Sequence, residues 1–425
     1  MNPRKTAYDM LVRAGKDEAY SNILLDSSFA RSGLGTDKRA FAAALFYGVI
    51  ERKITLDYII KEYSSIKFDR IDNNTLQLLR MGLYQLMYMN IPDNAAVNET
   101  VGLAPKRSAG FINAVLRAFI RNGKTLDIRE NNRLKAMAVE FSCNYWIVKM
   151  WAEQYGEDRA EDMLETALGK PPVYARVNNT VCTAEELTER LAEDGVKSVP
   201  VGEDGKCLKL LNAGAIEGLA AYRRGMFHIQ DISSQRCCEL LDPQPGETVI
   251  DMCAAPGGKS FTLAELMGGK GTVLSSDLYE SRVGLIREGA ARLGLDKIIQ
   301  ARVADAAVYD SSLPAADRVL CDVPCSGFGV IRRKPEIKYK KKQDTEELPA
   351  IQTRILENAA NYVKPSGRLV YSTCTLRREE NEEVAESFAG RHADSFTLLD
   401  EQTAFPEPDG GDGFFTAVFE KKTNE

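Results

Sequence analysis

At 425 residues the chain is too long for one ordinary core, and two or three domains are expected. A hydrophobic fraction of 44% with 27% charged residues excludes a disordered low-complexity chain. No run of about 18 apolar residues is present, so neither a spanning helix nor a membrane partner is expected. The net charge of −6 hides an asymmetry: residues 1–140 hold 21 Lys+Arg against 15 Asp+Glu, leaving the remainder at −12. A basic module on an acidic body suits an anionic polymer, nucleic acid above all, although an ordinary solvated surface has the same signature.

The nine cysteines are odd in number and follow no framework. With no apolar signal region near the start, they predict reduced thiols and a cytoplasmic location. Two histidines, His228 and His392, leave little for a zinc site or a histidine triad, and no metal is expected.

In chain order, residues 1–140 read as helices. Ala7, Met10, Leu11 and Ala14 form one stripe, and Leu76, Leu79, Leu83, Leu86 and Met87 another. Phe111, Val115, Leu116 and Ile120 are expected to face inward on a last helix. Residues 141–235 read as a small α/β connector, with strands at Val173–Val177, Leu208–Leu211 and Met226–Gln230 and a helix after Thr183. From 236 to 425 strands and helices alternate. Strands end at Ile250, Ser276, Val303, Cys321 and Ser372, and a late one covers Phe414–Phe419. That alternation predicts a doubly wound, mostly parallel sheet.

Chemistry concentrates at the strand ends. Asp251-Met252-Cys253-Ala254-Ala255-Pro256-Gly257-Gly258-Lys259 joins the first of these strands to a helix through small residues that let a ligand approach the backbone. In α/β proteins such a turn binds nucleotide-like molecules. Asp277, at the second strand's tip, suits ribose hydroxyls, and Asp305, after the third, an adenine amino group. These carboxyls admit a nicotinamide dinucleotide or S-adenosylmethionine. The absence of G-x-G-x-x-G, which seats a pyrophosphate, favours the second.

Two further turns carry thiols. Cys325 lies in Asp322-Val323-Pro324-Cys325-Ser326-Gly327-Phe328-Gly329 after the fourth strand, and Cys374 in Thr373-Cys374-Thr375 after the fifth. If these strands are neighbours, about 4.8 Å apart, both thiols reach the sheet edge beside the cofactor turn. Cys321, Cys237 and Cys238 remain core candidates. A thiolate beside a methyl donor suits carbon 5 of a pyrimidine, because attack on carbon 6 creates a nucleophilic enamine there. Asp322 in neutral form could donate to ring nitrogen 3, which would require a raised pKa.

Asp251–Lys259, Asp322–Gly329 and Tyr371–Thr375 resemble motifs of the RNA (cytosine-5)-methyltransferases that carry two active-site cysteines. Lys67–Asp72, Leu79–Met89, Ala95–Val101 and Gly110–Arg117 resemble the antitermination-factor-like helical RNA-binding domain of the ribosomal small-subunit methyltransferase B (Sun/Fmu) group. The resemblance implies an all-α bundle, a connector and a Rossmann-like domain of the S-adenosylmethionine methyltransferase type. It also implies a monomer methylating a cytosine of small-subunit (16S) ribosomal RNA. Cys374 is implied as nucleophile and Cys325 as an aid to product release; spacing alone does not distinguish them. Cys253 to Lys259, Asp277, Asp305 and Asp322 are implied around the cofactor, and Lys259 near the reacting base. Thr375 stands where serine is common. Arg332, Arg333, Lys334 and Lys338 follow the Cys325 loop and are expected to contact phosphate rather than form an ordinary solvated run. A thiol-dependent oxidoreductase is the alternative enzyme; a vestigial RNA-binding factor fits poorly with intact Cys325, Cys374 and Lys259.

Overall fold

The computed structural model describes residues 2–17, 25, 28–29, 33–202 and 205–423. Contacts group the chain into two compact units, Met1–Leu168 with Ile331–Lys340, and Gly169–Val330 with Lys341–Glu425.

In the first unit the helix Asn73–Tyr88 buries Leu78, Leu79, Met81 and Leu83 completely. Asp72 caps it by accepting from the Thr75 N–H at 3.1 Å and the Thr75 hydroxyl at 2.7 Å. Each fully buried leucine contributes roughly 1.5–3 kcal/mol. Arg80, buried on the same helix, makes a two-pronged pair with Asp57 at 2.6 and 2.7 Å. On the helix Lys106–Arg121 the inward face is Ile112, Val115, Leu116 and Phe119; Phe111 and Ile120 lie at its margins, only half-buried. Helical packing also runs past the expected boundary at 140. Arg133–Glu140 packs on both Lys53–Tyr63 and Tyr145–Tyr155, and the helices through Thr166 group with the bundle.

The segment Ile331–Lys340 corrects an expectation. Lys338 is fully buried, and its Nζ donates to the carbonyls of Phe141 at 3.0 Å and Glu51 at 3.4 Å. The Tyr339 hydroxyl donates to the Ile50 carbonyl, and Asn144 and Trp146 both donate to the Lys340 carbonyl. Lys338 therefore satisfies the open carbonyl ends of helices instead of contacting phosphate. Arg332 is also buried, while Lys334 is exposed and Arg333 half-buried.

Burial pushes the Lys338 ammonium down to about 8 from its ordinary 10.5. Between those values the unfolded chain binds more protons than the folded one, so this site's contribution to stability rises with pH. Relative to Lys338→Met, the native protein is expected to gain up to roughly 3 kcal/mol across that window. Denaturant unfolding of both proteins at either end of the window checks it; a pH-independent difference refutes it.

The second unit holds two sheets. Strands β1 (Val173–Val177), β2 (Lys197–Val201), β3 (Cys207–Leu211) and β4 (Phe227–Ile229) form an antiparallel sheet ordered β2-β3-β1-β4. The helix Ala184–Glu193 carries the expected Thr183 cap as a full capping box with Glu186. The larger sheet contains β5 (Thr248–Asp251), β6 (Thr272–Asp277), β7 (Ile299–Val303), β8 (Ala316–Asp322), β9 (Val363–Thr373), β10 (Phe396–Ala404) and β11 (Phe414–Lys421). Its order is β10-β11-β9-β8-β5-β6-β7, with β5 to β9 mutually parallel and β11 antiparallel to both its neighbours.

Alternate residues feed two apolar layers. Ile250, Val319, Cys321, Leu369 and Tyr371 pack with the helices Leu348–Ala360 and Glu382–Arg391. Val249, Leu320 and Val370 pack on the other face with Ile232–Leu241, Gly258–Leu266 and Glu280–Leu293. The strand order reverses at β5 and β8, where doubly wound sheets open a crevice at their carboxyl edge. Pro365 and Gly367 lie within β9, at its register shift against β8.

Candidate active site

Four aspartates crowd that carboxyl edge. Asp251, Asp277 and Asp322 end β5, β6 and β8, and Asp305 follows β7 by two residues. Between β5 and the helix Gly258–Leu266 the chain turns through Cys253 to Gly257. Its backbone is pinned to the sheet, Met252 N–H to the Leu320 carbonyl at 3.0 Å and Ala254 N–H to Ser276 at 2.8 Å. Gly257 sits at φ +112°, and a Cβ there would collide with the Phe261 ring. The turn thus stays small where the helix N-terminus opens.

Asp277 is buried; its Oδ1 accepts from the Tyr279 N–H at 3.3 Å and its Oδ2 lies 3.4 Å from Arg282. Asp305 is exposed and accepts from Ala307 at 2.9 Å. This donor set fits a cofactor with ribose hydroxyls and positive charge.

The expected neighbour relation of the two thiol-bearing strands is present. β8 and β9 pair in parallel with Asp322 opposite Ser372, and the sulfurs of Cys325 and Cys374 lie 3.3 Å apart. Both thiols are partly accessible, whereas Cys237, Cys238 and Cys321 are fully buried. Burial pushes Cys237 up to about 11 and Cys238, Cys253 and Cys321 well above the ordinary thiol value, which makes them unreactive. Cys325 is also raised well above that value, by its hydrogen bond to Cys374 and then by burial.

Lys259 projects from the first turn of its helix to Asp322, Nζ to Oδ2 at 2.8 Å, and also donates to Ser234 at 3.3 Å. Its ammonium stands 5.0 Å from the centre of the Phe414 ring. Burial opposes its charge, but the Asp322 carboxylate together with Cys237 and Cys238 raises the lysine above its ordinary value. Ser372 donates to the other Asp322 oxygen at 3.1 Å. Asp322 is therefore an acceptor on both oxygens and the counter-ion of Lys259. Both oxygens are thus already engaged by Lys259 and Ser372, which is not the arrangement of the donor to ring nitrogen 3 that the sequence led one to expect.

Other residues escaped the sequence reading. Asp251 is fully buried, its Oδ2 accepting from Ser260 at 2.7 Å, and burial pushes its carboxyl up to about 7. The polar run Arg377-Arg378-Glu379-Glu380-Asn381-Glu382 is not singled out by the sequence, yet Glu380 and Asn381 within it are fully buried. Asn381 donates to the Thr375 carbonyl at 3.0 Å and accepts from the Thr373 hydroxyl at 2.5 Å, bracketing Cys374. Thr375 joins the two thiol loops, its hydroxyl 2.6 Å from that of Ser326 and accepting from the Phe328 N–H. The one available signal was the position of that polar run, directly after a candidate nucleophile.

Comparison with known proteins gives a consistent placement. The family model of 16S rRNA methyltransferase RsmB/F matches residues 238–420, the NusB family residues 1–121, and the ferredoxin-like domain of RsmF/B-like methyltransferases residues 144–217. The probable ribosomal RNA small subunit methyltransferase B of Bacillus subtilis (strain 168) is 39% identical over 99% of this chain and 98% of its own length. The ribosomal RNA small subunit methyltransferase B of Pectobacterium carotovorum subsp. carotovorum is 34% identical over 90% of each. The crystal structure of PH0851 superposes with a TM-score of 0.81 at 26% identity, covering 99% of both chains. With three family models in register and that identity sustained along the chain, the protein belongs to the ribosomal RNA small subunit methyltransferase B family.

Proposed function

We propose that this protein transfers a methyl group from S-adenosylmethionine to carbon 5 of a cytosine in small-subunit ribosomal RNA, through a covalent bond from Cys374 to carbon 6. The observation that carries the reading is the pair of accessible sulfurs 3.3 Å apart at neighbouring strand tips, on the edge that also bears the cofactor turn. Cys253 to Lys259, Asp277, Asp305 and Asp322 hold the cofactor. When bound, it supplies an electrophilic methyl group carried on a sulfonium.

The Cys374 thiolate adds to carbon 6, which breaks the ring's aromaticity and places electron density on carbon 5. Lys259, held by Asp322, offsets the negative charge that develops on the ring. Once carbon 5 is methylated, a base removes its proton, the carbon 5–carbon 6 double bond re-forms and the Cys374 sulfur leaves as thiolate. Cys325 serves this release step.

Carbon 6 is unreachable inside a helix, so the target base is unstacked or flipped out. Exposed Lys106, Arg107 and Arg121 of the helical unit, with Lys334, Lys341 and Lys342, supply phosphate contacts in place of the buried Lys338 and Arg332. The test is single-turnover methylation of small-subunit RNA with methyl-labelled S-adenosylmethionine, both naked and in assembling particles, followed by nucleoside analysis. Label in 5-methylcytosine is expected. Label on another base, or none with cofactor bound, overturns the reading.

A further inference from the structure

Cys325 sits in a loop whose flanking peptide groups are both gripped by buried side chains. The Ser326 N–H donates to Oε2 of Glu380 at 2.8 Å, and the Pro324 carbonyl accepts from Nε2 of Gln352 at 2.9 Å. The same Gln352 nitrogen donates to Oε2 of Glu380 at 2.9 Å, closing a bracket around the residue that carries the sulfur. Both bracket residues are fully buried. The other Glu380 oxygen lies 3.6 Å from Nη1 of Arg377, and the Glu380 carbonyl accepts from the Tyr371 hydroxyl at 2.5 Å. A buried carboxylate is costly unless it is paired and hydrogen-bonded, and here its bonds converge on one loop.

We propose that Glu380, acting with Gln352, is a positioning residue for product release, holding the Cys325 sulfur against Cys374 without touching RNA or cofactor. This rests on the two-thiol reading above. The Cys374 loop has an anchor of its own in Asn381, which brackets Cys374 from Thr373 to Thr375, so loosening the Glu380 bracket displaces the Cys325 sulfur more than the Cys374 sulfur even though Thr375 also touches Ser326. Attack by Cys374 then survives while release slows.

The test uses full-length protein, small-subunit RNA and S-adenosylmethionine, with adducts scored on denaturing gels and release followed separately from methyl transfer. Glu380→Leu removes the acceptor and is expected to accumulate adduct and slow release by ~10²-fold, the scale of a displacement of about 1 Å at a reacting group, with KM little changed. Glu380→Gln keeps an oxygen for both donors, and Arg377 keeps Glu379 at 3.4 Å, so its release stays near the native rate. In a Cys325→Ala background Glu380→Leu should add no further slowing. Should Glu380→Leu fail to fold, Gln352→Met, which removes the Pro324 donor at similar volume, is expected to show the same adduct. Native release in the bracket variants, or equal slowing with and without Cys325, overturns the proposal. Absence of any adduct in Cys325→Ala alone overturns the two-thiol reading instead, which keeps the two failures distinguishable.

Discussion

Replacing Cys374 by alanine is expected to abolish both methyl transfer and covalent attachment to RNA, whereas Cys325→Ala is expected to trap a protein–RNA adduct seen as a slow band on a denaturing gel. On the proposed mechanism nothing activates carbon 5 without the Cys374 sulfur, and the loss should reach roughly 10⁴-fold or more, as for nucleophile removal in other covalent enzymes. Without Cys325 the bond to carbon 6 still forms but its release lacks assistance, a deficit of about 10²–10⁴-fold in turnover on the scale of general acid–base catalysis. The sulfurs lie 3.3 Å apart, so neither alanine removes a distant structural support. Two variants that are equally inactive and equally unattached would end the division of labour.

Lys259→Met should also be severe, for two separable reasons. In the proposed mechanism it removes the cation facing the developing charge, an effect of about 10²–10³-fold in kcat on the scale of losing one preorganised electrostatic donor. It also strands Asp322, whose Oδ2 loses its partner at 2.8 Å. Breaking one side of a buried pair costs roughly 3–5 kcal/mol, and less here because the Asp322 side chain is 29% exposed. Lys259→Met/Asp322→Asn removes both charges. Its thermal midpoint is expected to recover towards the native value while methyl transfer stays low. Recovery of activity along with stability would show that Lys259 acts only through packing.

The glycine-rich turn and the parallel strands were legible because each is a local event. Runs such as Val249-Ile250 and Val319-Leu320-Cys321 announce strands buried on both faces, and Asp251 to Lys259 combines small residues with a helix start. Strands β2 and β10 escaped the reading because they lie at sheet edges, where Lys197, Pro200, Asp400 and Glu401 break the apolar pattern.

By itself the sequence determined the class of fold, the strand ends that carry carboxyls and thiols, and the family resemblance. Those properties reside in side-chain period and in short motifs, which need no distant partner. Only the tertiary structure decided that Lys338 is an interior clamp, since its acceptors Phe141 and Glu51 lie 197 and 287 positions away. It alone also turned Asp322 into a counter-ion and drew Glu380 from a charged run into the bracket around Cys325. An ionisable side chain takes its role from the solvent and partners around it, and the folded chain assembles those from segments far apart in sequence.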